Sequence, residues 1–293
     1  MNNDQAEKLR QRAAAEKKAD SEAVVIGVIS GKGGVGKSVF SVNFSIALSE
    51  MGKKMLIIDL DIGMGNIEHL VGRSSLPDIA DCAHDHLQLS DAIFKGPGNI
   101  SFIAGGNGLS TLFRPDGEHL DAFLRQIEQI KRNYDFILFD FGAGVTDDML
   151  HYILAVHQMI LVTTPEPPAM ADGYSALKII CSKNAALPVF CVVNMTGNSR
   201  EGKETWQRLS GAAKKYIHID LQWLTALHRD NAVIRSVREQ SPCVLRYPHS
   251  RFSIDMRLLA RAFLVQYQHE QAVSSFSPFV LRVKKYFELL RGK

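Results

Sequence analysis

Cysteine is scarce in this chain. Its four thiols, Cys82, Cys181, Cys191 and Cys243, stand far apart and form no C-x-x-C pair. A disulfide framework and a cysteine-rich metal centre are therefore not expected, and reduced intracellular thiols are the default. Long apolar runs are missing as well. No stretch of about 18 apolar residues exists, so nothing is expected to span a membrane. The charged N-terminal stretch does not read as a secretory signal, and its Asp and Glu residues argue against a transit peptide. Neither sign of charge dominates. With 34 Lys+Arg against 31 Asp+Glu, the net charge of +3 neither requires nor excludes nucleic acid. Internal repeats and low-complexity tracts are also absent. The chain has 293 residues, 46% of them apolar, enough for one large α/β domain or two small ones.

The most informative stretch is "SGKGGVGKSVF", residues 30–40. Gly31 to Ser38 fits the phosphate-loop pattern G-x-x-x-x-G-K-[ST]. Gly31, Gly33, Gly34 and Gly36 let the backbone curl and point N–H groups at phosphate oxygens. Lys37 supplies a charge near the outer phosphates, and the Ser38 hydroxyl suits Mg²⁺. The whole loop, with Lys32, Val35 and Val39, forms the candidate nucleotide site. An apolar, β-branched run, Val24–Ser30, precedes it. A helix-like segment with Phe40, Phe44 and Leu48 follows. Strand, glycine loop and helix N-terminus in that order make an anion site.

Short apolar strands recur along the chain. They are "MLIIDL" (55–60), "ISFIAG" (100–105), "YDFILFDF" (134–141), "MILVTT" (159–164) and "PVFCVVN" (188–194), with a weaker candidate at "IHIDLQWL" (217–224). Helix-like segments separate them. The rhythm predicts an α/β fold, a mostly parallel twisted sheet with helices on both faces. Three parts are expected: a polar segment 1–22, an α/β domain 23–272, and a basic amphipathic tail 273–293. Two aspartate clusters fall where strands end, Asp59 and Asp61 in "IIDLDIG" and Asp140 in "ILFDFGAG". Ligands of open α/β sheets collect at those ends. Asp140 suits a carboxylate that holds Mg²⁺ directly or through water. Gly142 and Gly144 would let its loop move.

"KGGVGKS" with the extra Lys32, "DLDIG" and "DFGAG" resemble the deviant Walker A ATPases of the MinD/ParA class over about residues 23–245. The resemblance implies a P-loop ATPase that uses ATP/ADP and Mg²⁺ and forms a homodimer with ATP. It implies that Lys32 reaches the nucleotide of the facing subunit, so that Lys32, Lys37 and Asp61 serve catalysis. Asp61 would position the attacking water, Ser38, Asp59 and Asp140 would serve Mg²⁺, and Asn194 would read the adenine ring. One departure is visible: many relatives carry proline where Gly142 stands.

The ends narrow the resemblance to the FlhG (YlxH) family of flagellar MinD-like ATPases. "DQAEKLR" is similar to that family's N-terminal activator motif, which implies that Asp4, Gln5 and Ala6 stimulate the GTPase FlhF. The bottom-up reading of the same residues is a flexible, marginally helical tail. At the other end, "SFSPFVLRVKKYFELLRGK" aligns Phe279, Val283, Tyr286 and Leu290 on one stripe, with Val280 and Phe287 beside it and Phe276 just before it. Arg282, Lys284, Lys285 and Arg291 occupy the other face. Such a helix suits an anionic membrane surface, or it packs on its own domain. The expected function is control of flagellar number and placement by a cytoplasmic, peripheral membrane ATPase. Its implied partners are FlhF and a C-ring protein, FliM or FliY. The alternative is a ParA-type partition ATPase that binds DNA without sequence preference. Against it, no helix-turn-helix or concentrated basic patch stands out within the core, and no sequence-specific nucleic-acid partner is expected.

Overall fold

The computed structural model describes residues 23–61, 66–73, 88–105, 117–271 and 279–291. The activator residues Asp4, Gln5 and Ala6, and Phe276 of the tail, lie outside the described residues.

Eight strands form one sheet: β1 (Val24–Ser30), β2 (Met55–Leu60), β3 (Phe94–Lys95), β4 (Ser101–Ile103), β5 (Phe136–Ala143), β6 (Gln158–Thr163), β7 (Val189–Thr196) and β8 (Gln222–His228). The order across the sheet is β3-β4-β2-β5-β1-β6-β7-β8. Every pairing is parallel except β3 with β4. The central strands are buried along almost their whole length, as their unbroken apolar runs require. The weak strand candidate at 217–224 is displaced. Ile219 and Leu221 are buried in the approach to β8, and the strand itself runs to His228. β5 also runs further than expected, through Gly142 to Ala143. The turn falls at Gly144, which has a positive φ of 82° and donates its N–H to Ser30 O.

One face of the sheet carries α1 (Lys37–Glu50). This helix is buried nearly all round. Phe40 and Phe44 stack at 5.2 Å, and Phe44 meets Phe263 edge-on at 5.3 Å. Phe263 belongs to the long helix α9 (Arg251–Gln271), which together with the short α8 (Cys243–Arg246) seals α1 from solvent. Arg257 clamps α9 to the end of α1 by donating to both carboxylate oxygens of Glu50, at 2.7 and 2.9 Å. A short α2 (Ile67–Leu70) follows β2, and α7 (Asn231–Arg238) follows β8.

The opposite face carries α3 (Gly117–Ile130), α4 (Asp147–Ala155), α5 (Pro167–Lys183) and α6 (Ser199–Ile217). The C-terminal helix, α10 (Phe279–Arg291), lies on this side against α4 and α3. Its apolar stripe is largely committed to the body. Phe279 and Val283 are fully buried, and Phe279 packs edge-on against Phe139 of β5 at 5.3 Å. Val280 and Tyr286 are partly buried in the same core. The side chains of Phe287 and Leu290 lie outside the described residues. No described helix is long and apolar enough to cross a membrane.

Candidate P-loop nucleotide site

β1 sits at the centre of the sheet, and the connections on its two sides run in opposite directions. This is the crevice where open α/β sheets bind ligands. The loop from Gly31 to Gly36 leaves β1 there and enters α1. Two contacts fix its shape. A Cβ on Gly31 would lie 2.1 Å from the Asp172 carbonyl carbon of α5, so only glycine lets the loop seat on that helix. Gly36 has a φ of 83°, and a Cβ there would lie 2.5 Å from Nδ2 of Asn194. Asn194, buried at the end of β7, donates that amide to the carbonyl of Val35 at 2.8 Å. Asn194 thus holds the loop from behind. Gly33 and Gly34 have open space on their outer side.

The two lysines of the loop meet different surroundings. Lys37 is buried and its Nζ lies 3.0 Å from Asp140 Oδ1. Ser41, one turn along α1, donates to the same oxygen at 2.8 Å. Ser38 accepts a weak contact from Lys37 at 3.4 Å. Lys32 points the other way, across the top of the sheet, and pairs with Glu166 at 3.1 Å. Glu166, Pro165, Met195, Gly197 and Arg229 line a cleft of about 410 Å³ beside the loop. Glu166, Met195 and Arg229 were not anticipated from sequence. Their signal was position: Met195 lies one residue before the end of β7, and Glu166 and Arg229 follow the C-terminal ends of β6 and β8.

The carboxylates converge on the same spot. Asp59 and Asp140 face each other on the neighbouring strands β2 and β5. Asp59 is fully buried and accepts backbone N–H groups from Asp61 (3.0 Å), Asn66 (2.9 Å) and Ile67 (3.2 Å). Burial first, and the Asp140 charge second, push its pKa up to about 7. Asp61 is half-buried, and its pKa is raised mainly by burial, with Lys37 opposing. Its Oδ2 accepts a long contact of 3.5 Å from the Asn66 side chain. A Cβ on Gly142 would lie 3.1 Å from Asp61 Oδ1, so the glycine gives that carboxylate room.

The donor set fits Mg²⁺ and phosphate. Asp140 Oδ2 is buried with no hydrogen-bond partner, and two carboxylates sit side by side where one is strained toward protonation. A divalent cation would relieve both. A bound Mg²⁺ would draw charge from the phosphoryl oxygens. Ser38, Asp59 and Asp140 would hold it directly or through water. Lys37 would exchange Asp140 for phosphate, and the open side of Gly33 and Gly34 offers N–H groups to the rest.

Residues 22–264 match the family described as ParA, NUBPL iron-transfer P-loop NTPase. The close cysteine pair expected of an iron–sulfur carrier is missing from the sequence. The antiactivator FleN of Pseudomonas aeruginosa is 25% identical over 237 residues, covering 81% of this chain and 85% of FleN. The flagellum site-determining protein YlxH of Helicobacter pylori is 33% identical over 230 residues, 78% of this chain and 77% of YlxH. Among solved structures, the septum site-determining protein MinD of Pyrococcus horikoshii, complexed with Mg-ADP, superposes with a TM-score of 0.66. It is 27% identical over 82% of this chain and 96% of that one. Sheet order, P-loop, paired aspartates and these matches agree, and the chain belongs to the ParA family of P-loop NTPases as a MinD-like ATPase.

Proposed function

We propose that this ATPase is a nucleotide-switched regulator of flagellar number or placement, monomeric with ADP and dimeric with ATP. The observation that carries the switch is the direction of Lys32. Lys37 is buried against Asp140, whereas Lys32 leaves the loop for the exposed top of the sheet, where it pairs with the solvent-facing Glu166. Such a surface pair contributes about 0–1 kcal/mol, so little opposes its exchange for the phosphates of a facing copy. Asp61 then orients the water that attacks the outer phosphate, while Lys37 and the loop N–H groups hold the departing charge. YlxH, whose name makes it a flagellum site-determining protein, supports the cellular role. FlhF, met through Asp4, Gln5 and Ala6, and the C-ring proteins FliM or FliY are the partners this reading assigns.

The second half of the switch is α10. In the monomer the helix is stowed, with Phe279 and Val283 in the core. Burying two such side chains stabilises the stowed state by roughly 3–6 kcal/mol. Dimerisation that loosens the α4 side would free the stripe for a bilayer on the inner face of the membrane. The test is chromatographic sizing with ADP and with ATP, in the presence and absence of anionic liposomes. ATP should double the mass and recruit the protein to liposomes. A monomer in both nucleotides would overturn the reading.

A further inference from the structure

A groove of about 470 Å³ runs between α3 and the stowed α10, far from the P-loop. This volume is within the ~300–1,000 Å³ usual for small-ligand sites. Its floor is apolar, made by buried Leu124 of α3 and half-buried Val280 of α10. Three cations rim it. Arg125 lies on α3, Arg132 follows in the 3-10 turn Lys131–Asn133, and Lys284 stands one turn beyond Val280 on α10. Their side chains are all exposed. Arg125 and Arg132 stand seven residues apart along α3 and its 3-10 extension, and both line the groove. Glu128 is the one acid in the lining, and Lys131 engages its carboxylate.

We propose that this groove binds an anionic phospholipid, with an acyl chain on the Leu124–Val280 floor and the phosphate between Arg125, Arg132 and Lys284. An apolar floor under a basic rim complements an amphiphile with a negative head, and complements poorly a soluble anion, which needs no floor. The inference rests on the membrane reading above and deepens it. The stowed helix and α3 together recognise lipid before α10 is released, so the body contributes cations that the tail alone does not have.

Two measurements on the full chain test it. In the first, melting is followed with dihexanoyl-phosphatidylglycerol below its micelle concentration, with the matching phosphatidylcholine, and with inorganic phosphate. Only the phosphatidylglycerol should raise Tm, and Arg125→Ala/Arg132→Ala should abolish the shift while Arg125→Lys/Arg132→Lys keeps most of it. No shift, an equal shift in the alanine variant, or the same shift with inorganic phosphate would overturn the proposal. In the second, vesicles of phosphatidylglycerol and phosphatidylcholine are sedimented with wild type, with the alanine variant and with the chain lacking residues 275–293. The alanine variant should lose about tenfold or more in affinity for the anionic vesicles. Undiminished binding of that variant, beside lost binding of the truncation, would reject the groove and leave the helix as anchor. A wild type that ignores vesicles in every nucleotide state would reject the membrane reading, and the Tm shift then decides the groove alone.

Discussion

Lys37 and Lys32 leave the same loop for opposite environments, 7% and 35% exposed, and their replacement should separate two functions. Lys37→Ala removes the charge nearest the phosphates and strands Asp140 in the core. Nucleotide affinity, read by titration with a fluorescent ATP analogue, should fall by about tenfold or more, the equivalent of a charged hydrogen bond of about 1.5–3 kcal/mol. Lys32→Ala should keep most of that affinity and lose the ATP-dependent dimer; a variant that still dimerises would remove Lys32 from the role. Asp61→Ala should bind ATP and hydrolyse it about 10²-fold more slowly, because the attacking water loses its carboxylate. Unchanged turnover would reassign Asp61. Asp59 gives a pH prediction. Its folded pKa, about 7, is above the unfolded value of 3.8, so between these values the folded state holds the extra proton. Its contribution is complete below pH 3.8 and is lost as pH rises through about 7. The nucleotide-free protein should therefore melt at lower temperature as pH climbs across that window, and Asp59→Asn should flatten the profile and melt higher at pH 8, by roughly 2–4 °C for each kcal/mol relieved. A profile identical to wild type would show that Asp59 is already ionised when folded. The residues of the loop were legible in sequence because their chemistry is local. The Asp59–Asp140 pairing was not, since it depends on β2 and β5 being neighbours, which only the strand order supplies.

Elements were legible where burial and period agree. β1, β2, β5, β6 and β7 are continuous apolar runs and stand near their expected places. β3 escaped notice because two residues carry no pattern, and β8 was displaced because Ile219 and Leu221 are apolar for the sake of the core without being strand. The C-terminal helix shows a deeper limit. A stripe of Phe279, Val283 and Tyr286 has the same period whether it meets a bilayer or the body, and here it meets the body. This changes what a mutation tests. Phe279→Glu would place a charge beside Phe139 and should eject α10, costing several kcal/mol of stowed-state stability. Limited proteolysis should cut the tail of this variant in the monomer, where wild type resists. Equal resistance would mean that α10 is not held by Phe279. The N-terminal segment makes the converse case. Its charged, alanine-rich sequence offers little to a core, so deleting residues 1–20 should leave melting temperature and intrinsic ATPase rate unchanged. The same deletion should abolish stimulation of FlhF, and a peptide of residues 1–20 should restore part of it. A peptide without effect on FlhF GTP hydrolysis would end the activator reading.

At the scale of the whole molecule, the proposed switch would link nucleotide, partner copy and membrane through one sheet. The P-loop sits at its centre, the aspartates on one side of β1 and the cleft with Glu166 on the other, while α10 rests behind β5 against α4. A single released tail gains little, because ordering the helix and leaving the core offset its burial in lipid. Two tails on one dimer would raise avidity by ~10²–10⁴-fold when both reach the bilayer, which would make membrane association a consequence of dimerisation. The proposed function therefore stands on the dimer. Sedimentation equilibrium of the hydrolysis-impaired Asp61→Ala chain, with ADP and then with ATP and Mg²⁺, measures it most directly. One chain mass is expected with ADP and twice that mass with ATP, reverting to one when Lys32→Ala is added. The same mass in both nucleotides, or an ATP dimer that survives Lys32→Ala, would contradict it.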